Sequence, residues 1–201
     1  DNFAIRSLTR AKTAIKDGSF KEEITPVSFQ YRKEEIVVEE DEQPLSANLK
    51  KIPKLRPAFE KEGTVTAANS SSISDGAAAL VMMCESTAIK SGITPLARIL
   101  GHTSFAQSPD WFTTAPISAI KMLLEKIGWN THDVDLFEIN EAFATVAMAA
   151  MRDLELPMKK VNIHGGACAL GHPVGASGTR ILVTLISALR KYNKKRGVAS
   201  L

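Results

Sequence analysis

Apolar residues recur at helical spacing near the start of the chain, at Phe3, Ile5, Leu8, Ala11 and Ile15, and Gly18 closes the run. That pattern predicts a helix over 3–16 with one face turned to a core. A polar stretch follows, holding two short β-like pieces at 24–30 and 36–39. Six acids fall in the nine residues 34–42, and Lys50, Lys51, Lys54 and Arg56 come soon after. Such charge runs read as a solvated face, or, for the lysines, as a hold on a phosphate. The small-residue turn region Ala67–Gly76 leads into 77–83, apolar enough to be read as fully buried. Ser91-Gly92 ends that unit, and Ile93-Thr94-Pro95 reads as a domain junction. Pro116 suits a first helical turn. Ile117, Ile120, Leu123, Leu124 and Ile127 then form an apolar stripe that Gly128 stops.

From Val134 the pattern alternates: strand 134–139, Ala-rich helix 141–154, strand 161–164, helix 177–192 and strand 197–201. Ile181, Leu182, Leu185, Ile186 and Leu189 share one face of the last helix. The order βαβαβ predicts an α/β fold with helices on a parallel sheet, and such sheets collect ligands at their carboxyl edge.

Composition narrows the function. The chain has 201 residues, 25 Lys plus Arg and 22 Asp plus Glu, for a net charge of +3. That charge suits a phosphorylated small molecule and is too weak to argue for nucleic acid. The longest apolar runs are about nine residues where a membrane span needs roughly 20, so no span is expected. Cys84 and Cys168 are too few for a disulfide framework, which points to a reducing compartment and a cytoplasmic location. The chain opens on Asp1 without a signal pattern and stops inside a predicted strand, so both ends are expected to be cut.

Two places put polar residues at the predicted sheet edge. The first is Glu138-Ile139-Asn140-Glu141-Ala142-Phe143-Ala144, where Asn140 falls between strand and helix. Asn140 can cap the helix, or its amide can hold a water or an oxyanion. The second is 165–178, which holds five of the chain's twelve glycines and sets His172 between Gly171 and Pro173. Glycines there allow positive φ or close backbone approach. His172 is either a solvated loop residue or an imidazole aimed beside exposed N–H donors. The rival motifs fail. Gly166 and Gly171 have P-loop spacing, but His172-Pro173 follow instead of Lys and Ser or Thr. Gly175-Ala176-Ser177-Gly178 places its second glycine one position early for a nucleophile elbow. His164, Cys168 and His172 recur every fourth residue, but the glycines and Pro173 argue against a helix that would gather them on zinc.

Asn140-Glu141-Ala142-Phe143-Ala144, the segment Gly165–Gly178 and the stretch 63–76 together resemble the thiolase family in order and spacing, over nearly the whole chain. The likeness is strongest to the members that make acetoacetyl-CoA. It implies a five-layered αβαβα core. Residues 1–73 would be the end of a loop domain, 74–92 the end of the N-terminal core, and 93–201 the C-terminal core, stopping before a Cys-Gly-Gly-Gly motif. The implied activity is acyl transfer: Claisen condensation of two acetyl-CoA to acetoacetyl-CoA and CoA, or the reverse thiolysis. Alternatives are a 3-ketoacyl-CoA thiolase of fatty-acid β-oxidation, a non-catalytic CoA- or lipid-binding relative, or a scaffold that only packs dimers. The implied partners are acyl-CoA and CoA as substrates and further copies of the chain, in a homodimer or homotetramer. No metal, cofactor, nucleic acid or membrane is implied.

By resemblance, His172 activates a nucleophilic cysteine and donates to a thioester oxyanion, and Asn140 holds the water that completes the oxyanion hole. Ser71 contacts pantetheine, and Phe59 and Phe143 lie near pantetheine or the acyl group unless they are simply core. The family's nucleophilic cysteine is expected upstream of Asp1, and its second cysteine just past Leu201. Cys84 reads as an ordinary buried cysteine, and Cys168 as a packing variant. Ser72 and Ala68 stand where family members commonly have glycine, which leaves the backbone geometry near Ser71 open.

Overall fold

The computed structural model describes all 201 residues. Helix α1 (Asn2–Lys16) realises the first stripe and buries Phe3, Ala4, Leu8, Ala11 and Ala14. Gly18, at φ +73°, gives the chain its left-handed exit. Strands β1 (Val27–Tyr31) and β2 (Glu34–Val38) pair antiparallel, from Val27↔Val38 to Tyr31↔Glu34. The hairpin stands in solvent with only Ile36 half-covered, so its acids form a solvated face. Helix α2 (Glu42–Ser46) and a 3₁₀ turn at Leu49–Lys54 follow. That turn packs Ile52 onto Ala4, Leu8 and Ala11 of α1 and leaves Lys50, Lys51 and Lys54 exposed.

The stretch 77–83 departs from expectation. It belongs to no helix or strand, and Val81 is 90% exposed. Helix α3 (Glu85–Lys90) follows, and 93–105 again lies outside any helix or strand, with Ile93, Leu96, Ile99 and Leu100 exposed. Cys84, expected to be buried, is exposed. The reason is common to all of them. An apolar strand is covered only when neighbouring strands and helices supply its partners, and no strand of this chain pairs with 77–83. This much contiguous apolar surface drives association. The 201-residue chain by itself is therefore expected to bind a hydrophobic dye and to self-associate on a sizing column. A monomer that binds no dye and melts cooperatively would contradict this.

Helix α4 (Ala115–Ile127) starts with Pro116 in its first turn and ends at Gly128, φ +70°. Strands β3 (Leu136–Ile139) and β4 (Gly197–Ser200) run parallel, with Leu136↔Gly197 and Ile139↔Ser200 in register. Helices α5 (Ala144–Asp153), α6 (Ala167–Leu170) and α7 (Ser177–Lys191) complete the unit. Period-two alternation divides β3. Phe137 and Ile139 pack with α4 and α5, and Leu136 packs with Leu185 and Ala188 of α7, so helices cover both faces. Each such buried aliphatic or aromatic side chain contributes about 1.5–3 kcal/mol. No helix is long and apolar enough to cross a membrane.

Three expectations are corrected here. The Ala-rich helix begins at Ala144, not at 141. The strand expected at 161–164 shrinks to a single bridge, Phe137–Val161, because Asn162 turns left-handed at φ +46°. Its side-chain amide replaces the lost ladder: Ile139 N donates to Asn162 Oδ1 and Asn162 Nδ2 donates to Ile139 O, both at 2.8 Å. On α7 the buried face runs through Ser177, Ile181, Thr184, Leu185 and Ala188, while Leu182 is exposed.

Candidate active site

At the carboxyl end of β3, Asn140 N donates to Ser200 O at 2.9 Å, which carries the strand pairing one residue further. Asn140 is buried, and Phe143, extended, stands at the cap position of α5. A capping side chain must come directly before the helix, so Asn140 does not cap it. The connector is held instead by the turn region. Ser71 N donates to Ala142 O at 3.0 Å, and Ala144 N to Asn69 O at 2.8 Å. Ser71 Oγ also donates to Ala142 O, at 3.0 Å. Neither Ala68 nor Ser72 has positive φ, so replacing glycine there brings no backbone strain.

The loop that carries His172 docks on the same turn region, with His172 N donating to Ser72 O at 2.9 Å. Gly171 is at φ +91°, and a Cβ there would collide with Ser74 Oγ. Against expectation, one helical turn does form inside this loop, α6. It does not gather His164, Cys168 and His172: His164 Nε2 lies 3.1 Å from the Tyr192 hydroxyl, and no three His, Cys, Asp or Glu side chains come together in a metal-holding group.

Asn140 and His172 do meet. His172 Nε2 lies 3.2 Å from Asn140 Nδ2, and His172 Nδ1 lies 2.6 Å from Ser177 Oγ. The network assigns the protons. Ser177 Oγ donates to Pro173 O at 3.1 Å and so accepts from His172 Nδ1–H. The Nε2 lone pair then accepts from the Asn140 amide. Asn140 Oδ1 is buried and has no partner in the chain. Burial first, and the Arg180 charge second, hold the His172 imidazole below its ordinary pKa, so it is neutral near pH 7. The pair can remove a proton at Nε2 and direct donors at a developing negative charge.

Beside it, Phe143 meets Phe59 edge-on with centroids 6.3 Å apart and Phe112 at 6.1 Å. Phe59 is 73% exposed, so it is not core. Phe112, an exposed ring in the 3₁₀ turn Pro109–Thr114, was not singled out from the sequence; its only signal there is an aromatic pair with Trp111. Ser177 was missed as the imidazole's partner, although it stands inside the glycine-rich motif. Glu141 was quoted in a motif but given no role.

Cys168 is buried, with its Sγ 3.6 Å from Glu141 O. Burial, then the Glu141 charge, push its thiol far above the ordinary range, the opposite of an activated nucleophile. A thiol reagent is expected to label Cys84 quickly and Cys168 only after unfolding. Equal labelling of both in the folded chain would contradict the burial argument.

The thiolase N-terminal domain profile matches residues 1–86 and the thiolase C-terminal domain profile matches 93–201. The acetyl-CoA acetyltransferase of Paracoccus denitrificans is 47% identical over all of this chain and 52% of its own length. That of Escherichia coli (strain K12) is 46% identical over 100% and 51%. The crystal structure of Bacillus anthracis acetyl-CoA acetyltransferase superposes with a TM-score of 0.97 at 42% identity, covering 100% of this chain and 51% of that one. Human mitochondrial 3-ketoacyl-CoA thiolase gives 0.87 at 37%, covering 99% and 51%. The chain spans about half the length of the curated relatives it matches. Matched by both domain profiles over nearly its whole length, the chain belongs to the thiolase family.

Proposed function

We propose that the whole protein is an acyltransferase that condenses two acetyl-CoA to acetoacetyl-CoA and CoA, or runs the reverse thiolysis, and that this chain supplies its imidazole and oxyanion donors. One observation carries the proposal: a neutral His172 tied to Ser177 through Nδ1 and to Asn140 through Nε2. The acyl-accepting thiol is not provided by Cys168, which is buried and poorly acidic. Its place is taken by a cysteine elsewhere in the whole protein. His172 Nε2 takes that thiol's proton, and the thiolate attacks the thioester carbonyl. The new carbon–sulfur bond forms as the CoA thiolate leaves. The departing CoA thiolate takes a proton from a second thiol of the whole protein, and the thiolate left behind removes the α-proton of the next acetyl-CoA. Negative charge builds on the thioester oxygen of that enolate, where Nε2–H donates to it. The enolate carbon attacks the acyl-cysteine carbonyl, the carbon–sulfur bond breaks, and the freed thiolate takes its proton back from Nε2. A water donating one O–H to the unpartnered Asn140 Oδ1 keeps its other O–H for the same oxygen.

Ser71, hydrogen-bonded to Ala142 of the segment that carries Asn140, and the Phe59, Phe112 and Phe143 rings gathered on that segment suit the pantetheine arm and acyl group of a CoA thioester. Residues 1–73, 74–92 and 93–201 read as the end of a loop domain, the end of an N-terminal core and a C-terminal core of an αβαβα assembly. The uncovered apolar stretch 77–83 supports that reading, and it also supports assembly of the whole protein as a homodimer or homotetramer. Two free thiols suit the cytoplasm. The test is CoA-dependent thiolysis of acetoacetyl-CoA and of longer 3-ketoacyl-CoA thioesters by the whole protein, with the 201-residue chain in parallel. Turnover of acetoacetyl-CoA is expected from the whole protein and none from the chain alone. Preference for long chains would favour the β-oxidation reading. Turnover by the chain alone that disappears in His172→Ala would overturn the assignment of the thiol.

A further inference from the structure

Glu141 follows Asn140 directly, yet the proposed chemistry does not use it. It is 1% exposed. Its carboxylate accepts three hydrogen bonds from three separate elements: from Ser7 Oγ on α1 at 2.7 Å, from Asn162 Nδ2 at the left-handed turn at 2.8 Å, and from Cys168 N in α6 at 3.2 Å. Gly166 N donates to Ser7 Oγ at 3.0 Å, which ties the start of the His172 loop to the same carboxylate through a hydroxyl. Gly166 leaves no room for a side chain, since a Cβ there would lie 2.6 Å from Glu141 Oε1. Arg10 of α1 secures the turn that holds Asn162, donating to Val161 O at 2.6 Å and Asn162 O at 3.1 Å.

Asn140 is thus pinned on both sides. Asn162 grips the backbone of Ile139 before it, and three donors grip Glu141 after it. The Cys168 amide belongs to the turn that leads through Gly171 into His172. The geometry points to Glu141 as a positioning residue, whose carboxylate sets the separation of Asn140 and His172 by joining the segment of one to the loop of the other. This rests on the thiolase reading of that pair. The chemistry requires an acid there rather than an amide. All three partners are donors; a carboxylate accepts from all of them, whereas glutamine must turn an N–H₂ towards at least one. Glu141→Gln therefore breaks a tether while keeping the volume.

The test is a double-mutant cycle in the whole protein, reading kcat and KM for acetoacetyl-CoA thiolysis together with Tm. Glu141→Gln and Ser7→Ala are each made in the wild-type and Asn140→Ala backgrounds. Residues that act as a unit are non-additive, so Glu141→Gln is expected to lower kcat by about 30–100-fold with KM within about threefold, but to cost less than about threefold once Asn140 is gone. Ser7→Ala is expected to show the same split and the same non-additivity with a loss of about tenfold or less. It carries the test if Glu141→Gln does not fold. Equal losses in both backgrounds, or an unchanged kcat, would sink the positioning role. If His172→Ala is inactive while the cycle is additive, the reading of the site stands and this inference fails. An inactive wild-type protein overturns both.

Discussion

Replacing His172 with alanine in the whole protein is expected to lower kcat for acetoacetyl-CoA thiolysis by roughly 10³–10⁵-fold, since general base catalysis and an oxyanion donor are lost together. The imidazole is half-buried and belongs to no hydrophobic cluster, so Tm should move far less than activity does. Steady-state kinetics beside a thermal melt check this. A variant within tenfold of wild type would remove His172 from the chemistry. The pH profile gives an independent reading. A base works in its neutral form, and burial and Arg180 lower the pKa of His172. The acid limb of kcat/KM should therefore lie below the ordinary histidine range of about 6.5. Arg180→Gln removes the second of those causes and should move the limb to higher pH; a limb that moves down, or stays, would contradict the electrostatic account.

Asn140→Asp is the next most damaging substitution. Asp and Asn cap helices equally well, but Asn140 is not at the cap of α5, so that equivalence gives no protection. The donor to His172 Nε2 is lost, and a carboxylate oxygen faces the same nitrogen at about the 3.2 Å of the native contact. The new charge stabilises protonated His172, which is no longer a base, and repels the oxyanion. The loss is expected to be about 2–4 kcal/mol of transition-state stabilisation, the range for one oxyanion donor. Its kinetic signature is a fall in kcat together with a rise in the acid limb of the pH profile. A full-length Asn140→Asp enzyme with the wild-type rate would leave this residue a structural role only.

Local physics was legible from the residues alone. Helices α1, α4 and α7 follow from the period of their apolar positions, and Gly18 and Gly128 mark two of their ends because each adopts positive φ. Strands β3 and β4 follow from short apolar runs bounded by turns. Asn140 and His172 stood out because their loops fall at a strand end and in a glycine-rich turn, and the motif likeness named the family. The residues by themselves determined α1, α4, α7, β3 and β4 and the identity of the two central side chains.

Tertiary structure alone decided the rest. The apolar character of 77–83 is a property of its residues, but burial is a property of their neighbours, and here no strand of the chain covers them. Asn162 read as part of a strand because a left-handed turn at asparagine carries no periodic signal; its amide then pairs with Ile139, as backbone would. Whether Asn140 capped a helix depended on where α5 began, which propensity places only to within a few residues. The bond from Ser7 to Glu141 joins positions 134 apart. No spacing rule reaches that far, because such a contact exists only once α1 has docked beside the β3 edge. The shape of the site, a neutral imidazole held between Ser177 and Asn140 with a buried carboxylate on the residue after Asn140, is therefore a consequence of packing, and the residue order could supply only its parts.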